Sequence, residues 1–60
     1  MTEIKDCWAE QWGGSYLVMV TTVDGQTLRH RTAFDVVMAA NSLVDQVIAK
    51  GAIQKEYWRG

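Results

Sequence analysis

Tyr16-Leu17-Val18-Met19-Val20-Thr21-Thr22-Val23, then Asp24-Gly25, then Gln26-Thr27-Leu28-Arg29-His30-Arg31-Thr32, is the stretch on which the fold turns. β-Branched residues flank an Asp-Gly pair, and Asp and Gly tolerate the positive φ angles of a two-residue type I′ turn, so the stretch reads as a β-hairpin. With Asp24-Gly25 as the loop, Val23 pairs with Gln26, Thr21 with Leu28 and Met19 with His30, each pair sharing a face. One face then carries Leu17, Met19, Thr21, Leu28 and His30. The other carries Tyr16, Val18, Val20, Thr27, Arg29 and Arg31.

Downstream of the hairpin the period changes. Thr32 followed by Asp35 is a weak form of a capping box, and Lys50-Gly51 supplies a cation and a C′ glycine at the far end of a helix. At about 100° per residue, Val36, Val37, Ala40, Leu43, Val44, Val47 and Ile48 fall in one arc of roughly 140°, with Asp35, Ser42, Asp45, Gln46 and Lys50 opposite. Ala52-Ile53-Gln54-Lys55-Glu56-Tyr57-Trp58 alternates as a last strand at a sheet edge, where Lys55 and Glu56 discourage further pairing.

Upstream, Ile4, Trp8 and Trp12 at spacing four fit a helix stripe or one face of a strand, and Gly13-Gly14 could cap the first or turn the second. A Gly13-Gly14 hairpin pairs Trp12 with Ser15 and Trp8 with Met19, which gathers the largest side chains on the face with Leu17 and Leu28 for a helix to cover. Against it, Glu, Lys, Ala and Gln favour helix, and Asp6 and Glu10 share the tryptophan face. The strand is the preferred reading. The expected fold is α+β: one domain over residues 1–60, in β-β-β-α-β order, with an antiparallel sheet packed on one long helix.

Composition narrows the function classes. The chain has 60 residues, 48% of them hydrophobic, no proline, three Trp and a net charge of −1, which is globular and carries no bulk attraction for nucleic acid or anionic lipid. A domain this small buries only about 60% of the surface of its unfolded chain, so a staple or a partner subunit is expected. Cys7 is the one cysteine and His30 the one histidine, which excludes an internal disulfide and a thiolate-imidazole zinc set. No signal peptide or membrane-length apolar run is read, and the free thiol points to the cytoplasm.

Catalytic signatures are missing from the sequence. Cys7 and His30 are the only nucleophile and base available as a pair, and the hairpin register sets them on opposite faces of the sheet. His30 reads as a hydrogen-bonded sheet residue and Cys7 as a small semi-buried one. The carboxylates are scattered, no calcium loop or phosphate-cradling glycine loop is present, and neither a catalytic residue, a metal site nor a cofactor is expected.

The surface left over carries the functional expectation. One helix covers one side of a sheet, and Tyr16, Val18 and Val20 are expected on the other, where an exposed apolar patch marks an interface. That face, with Arg29 and Arg31 as hot-spot arginines and Trp58 as either an anchor or a core plug, is the expected partner-binding surface. The reading is a small cytoplasmic interaction module, a homodimer that regulates or inhibits a larger protein by steric binding, of the scale carried by phages and mobile elements. The alternative is nucleic-acid binding through Arg29, Arg31 and an aromatic. The order of three strands and a helix is similar to that of arm-type DNA-binding domains in some integrases, a likeness of element order that implies DNA as the partner.

Overall fold

The computed structural model describes all residues, Met1–Gly60. Its elements are β1 (Thr2–Trp12), β2 (Ser15–Thr22), β3 (Thr27–His30), α1 (Val37–Lys50), β4 (Ala52–Ile53), a 3-10 turn at Lys55–Tyr57, and β5 (Trp58–Arg59). The strands form one antiparallel sheet in the order β4-β1-β2-β3-β5. The fold is α+β with the sheet packed on the helix, as the pattern requires.

The ambiguous N-terminal segment is a strand. Trp12 pairs with Ser15 and Trp8 with Met19, as a two-residue Gly13-Gly14 loop dictates. Gly13 takes φ +58° while Gly14 does not enter the positive region, the φ pattern of a type II′ turn, whose twist matches that of the flanking strands. A bulge at Lys5 shifts the register between Ile4 and Asp6. Ile4 thereby leaves the tryptophan face and joins the core on the opposite side.

The second hairpin corrects the expected register. Met19 pairs with Arg29, Val20 with Leu28 and Thr21 with Thr27, one residue away from the pairing that an Asp24-Gly25 loop would impose. The loop has three residues, Val23-Asp24-Gly25. Thr22 N–H donates to Gln26 O at 2.8 Å, Gly25 N–H donates to Thr22 O at 3.0 Å, and only Gly25, at φ +94°, is in the positive region. This is a tight turn closed by a glycine bulge. Thr22 explains the choice: its buried hydroxyl donates to the Asp24 carboxylate and accepts Gln26 N–H at 2.9 Å, which uses Asp24 as a side-chain acceptor.

Because side chains alternate, that extra residue reverses every β3 side chain. Leu28 moves to the side of Val18 and Val20, and Arg29 to the side of Leu17 and Met19. The core follows: Cys7, Val18, Val20, Leu28, Ala40, Val47, Ile53 and Trp58, with Thr22 buried among them. The helix covers the Val18-Val20 face, not the Trp8-Trp12 face.

The helix starts later than Thr32 and Asp35 suggest. Phe34 bridges to Tyr16 through two backbone hydrogen bonds, of 2.6 and 2.9 Å, so the chain stays out of the helix until Val36, which occupies the N-cap position without a side-chain cap. Its other end is as expected: Gly51 at φ +71° returns its N–H to Val47 O at 2.9 Å. Ala40 and Val47 are buried and Leu43 and Val44 half-buried, but Val36, Val37 and Ile48 stand exposed, so the sheet covers less of the apolar arc than its width would allow.

The last segment also departs from one strand. Ala52–Ile53 pairs with the start of β1, the chain turns at Lys55–Tyr57, and Trp58–Arg59 pairs with β3 at the opposite edge of the sheet. Four residues separate Ile53 from Trp58, and the five steps between them reach at most about 18 Å, so the sheet must curl to bring its two edges within that span.

Candidate interaction surfaces

Three exposed features surround the core: the sheet face that α1 leaves bare, a cleft on one flank of α1, and the outer edge of β1. The bare face is built by alternation. β1 contributes Asp6, Trp8, Glu10 and Trp12, β2 contributes Leu17, Met19 and Thr21, and β3 and β5 contribute Arg29 and Arg59, which pair with each other.

On β1, Glu10 lies between two indoles. Trp8 Nε1 donates to Glu10 Oε1 at 2.9 Å and Trp12 Nε1 donates to Glu10 Oε2 at 2.9 Å. The two donors hold the Glu10 carboxyl below the usual carboxylate range. Both rings are thereby oriented by hydrogen bonds, Trp8 half-buried and Trp12 62% exposed. Two indoles are thus fixed beside a Leu-Met ridge, with arginines on one flank and carboxylates on the other, so aromatic, apolar and charged groups share one face.

The cleft, with an internal volume of about 180 Å³, opens between α1 and the Ala52–Trp58 segment. Leu43, Val47, Ile53 and Trp58 form its apolar wall, His30 lines it, and Lys50 and Gln54 are among its polar lining. Small-molecule sites usually span about 300–1,000 Å³, so this space fits one side chain better than a metabolite. His30 packs edge-on to Trp58, ring centroids 5.0 Å apart, and near Phe34 at 6.2 Å. Its Nδ1 accepts Thr32 N–H at 3.1 Å, and burial lowers its pKa, which disfavours the cation.

Each expected partner-binding residue now has a place. Val18 and Val20 are fully buried beneath α1 and Trp58 is a core residue, so these three are withdrawn from the docking surface. Tyr16 is half-buried against the same core. Arg29 is exposed on the bare face; Arg31 is exposed on the connection after β3, its Nη1 donating to Glu56 O at 3.2 Å. The face was misassigned because the hairpin loop has three residues where Asp-Gly suggested two.

Cys7 and His30 are likewise corrected to the same, covered face, with β2 between their strands. Burial, with Asp6 adding repulsion, pushes the Cys7 thiol up to about 11, opposite to the direction an attacking thiolate needs. No three His, Cys, Asp or Glu side chains converge on a common point. No α-helix is long and apolar enough to cross a membrane. The sequence reading missed the Trp8-Glu10-Trp12 clamp, although its signal, a carboxylate between tryptophans at spacing two, was visible and had been weighed against the strand.

No family model, curated protein or solved structure matches this chain.

Proposed function

We propose that this chain is a cytoplasmic protein-interaction module without catalytic activity, which docks onto a larger protein through the bare sheet face and regulates or inhibits it by occupying its surface. The observation that carries this is the clamp: two tryptophans fixed by one carboxylate, beside Leu17 and Met19, on the face that no element of the chain covers. Aromatic and arginine anchors dominate binding energy at protein interfaces, and rings already held in place lose little entropy on docking. The exposed Arg29 supplies the orienting charge.

A second reading is favoured by one specific feature. Arg29 pairs with Arg59 across β3 and β5 on the same face as the indoles, a combination that can contact phosphate and stack bases. Asp6 and Glu10 on that face, and the net charge of −1, oppose it.

The test is capture of proteins from a lysate of the source cells by the tagged chain, with nuclease and at graded salt, alongside Trp12→Ala and Arg29→Glu variants. A stoichiometric protein that survives nuclease and salt and falls at least about tenfold in both variants is the expected result. Bound material that is lost with nuclease, and that weakens steeply as salt rises, would replace this reading with the second one.

A further inference from the structure

We infer that the outer edge of β1 pairs with the β1 edge of a second copy of this chain, joining two sheets into one across a two-fold axis at Ala9. The surface concerned is the backbone edge, distinct from the docking face above. β4 covers only Thr2 and Glu3 on this side of β1, so Lys5 to Trp12 have no neighbouring strand there. A two-residue loop makes Trp12 and Ser15 the closing bonded pair, and alternation along an antiparallel ladder then turns the N–H and C=O groups of Cys7, Ala9 and Gln11 outward. Cys7 displays the consequence: its N–H is met by its neighbour's carboxylate, Asp6 Oδ1, at 2.9 Å. The N–H groups of Ala9 and Gln11 have no such cap.

The helix leaves a matching apolar strip. Leu43, Gln46 and Lys50 line the cleft toward β5. α1 packs chiefly over β1, β2 and β4, and at about 100° per residue Val37, Val44 and Ile48 lie on its flank away from that cleft. Val37 is 43% and Ile48 57% exposed. An unpaired strand edge and an uncovered apolar helix flank thus lie on one side of the molecule, and one added strand with its own helix would cover both.

The second copy is the occupant because the β1 sequence is complementary to itself in the register that bonds these edge groups. Antiparallel pairing about Ala9 sets Cys7 opposite Gln11, Trp8 opposite Glu10 and Asp6 opposite Trp12 of the other copy. Each carboxylate on the bare face meets an indole, no two carboxylates oppose each other, and the indole N–H groups gain a second acceptor within reach. Alanine, the smallest side chain of the strand, falls on the axis, which lets the two helix flanks approach. The contact is isologous and closes as a dimer. It also enlarges a core that buries only 9 of 60 residues within one chain.

The experiment is sedimentation equilibrium over a concentration series, with amide hydrogen exchange read residue by residue. The expected result is a doubling of the 6.8 kDa mass, with exchange at Ala9 and Gln11 slowing at least about tenfold as the dimer fills. Gln11→Pro removes an outward N–H and Ile48→Lys charges the helix flank; both should return the chain to a monomer with an unchanged circular dichroism spectrum. A chain that stays monomeric to about 1 mM, where a specific contact would be populated, overturns the proposal. So does a dimer whose Ala9 and Gln11 amides exchange fast, or one indifferent to both variants. Protection seen only with a foreign protein present would also overturn it, assigning the edge to that protein.

Discussion

Two titratable side chains, the half-buried His30 and the buried Cys7, bound the pH range in which this domain is stable. His30 has a folded pKa below its ordinary value because burial disfavours the cation. As pH falls through about 6.5 the unfolded chain therefore binds the proton first, and stability declines on the acid side. Glu10 and Asp24, held low mainly by side-chain hydrogen bonds from Trp8 and from Thr22 respectively, extend that loss as pH drops through the ordinary carboxylate range. Cys7 acts at the other end. Its thiol ionises near 9.0 when free and about 11 when folded, so the unfolded chain ionises first as pH rises between those values and up to roughly 2–3 kcal/mol is lost. Denaturant melts across the pH range should show a plateau between about 6.5 and 9. Cys7→Ala should flatten the alkaline decline, and an unaltered decline would refute the assignment.

At the scale of elements, the decisive event is the three-residue loop between β2 and β3. Apolar residues stand on both faces of β2, Leu17 and Met19 on one and Val18 and Val20 on the other, so periodicity alone did not say which face is the core. Leu28 decides it by joining Val18 and Val20. Leu28→Ala should therefore destabilise the fold by roughly 2–4 kcal/mol, whereas Leu17→Ala should cost less than about 1 kcal/mol, as judged by urea titration. Equal costs would mean that both faces are packed. Other features were legible because they are local: the glycine break after Trp12 and the glycine stop at Gly51 are written within a few residues of where they act, whereas β1 was ambiguous locally and read as a strand only through its pairing with β2. The helix start was not, because Phe34 is drawn into a bridge with Tyr16, which is distant in sequence, and this overrides the weak capping signal of Thr32 and Asp35.

For the whole molecule, closure rests on a short C-terminal segment. Ile53 and Trp58 are both buried, at opposite edges of the sheet, and the turn between them ties those edges together. Lys55 Nζ donates to Gln26 Oε1 at 2.8 Å and Arg31 N–H to Tyr57 O at 2.9 Å, so the turn is held to the hairpin and to the end of β3. A domain of this size has a total stability of only about 3–9 kcal/mol. Trp58→Ala, which removes the plug beside His30 and costs roughly 3–5 kcal/mol, should take away a third or more of that stability, read as a large drop in the urea midpoint by circular dichroism. A folded variant with near-native stability would show that the curl does not depend on this residue.

The amino-acid sequence by itself determined the α+β class, the element order from β2 through α1, the turn sites and the end of the helix. Each rests on periodicity or on backbone freedom at particular residues, which need no distant partner. Only the tertiary structure decided that the N-terminal segment is a strand, which face of the sheet α1 covers, that the last segment divides between two edges, and hence that the anchors on the bare face are Trp8, Trp12 and Arg29 rather than Val18, Val20 and Trp58. The physical reason is that strand side chains alternate with period two. One residue gained in a loop, fixed here by the buried hydroxyl of Thr22, turns a whole strand over, and the strand's own sequence carries no record of that choice.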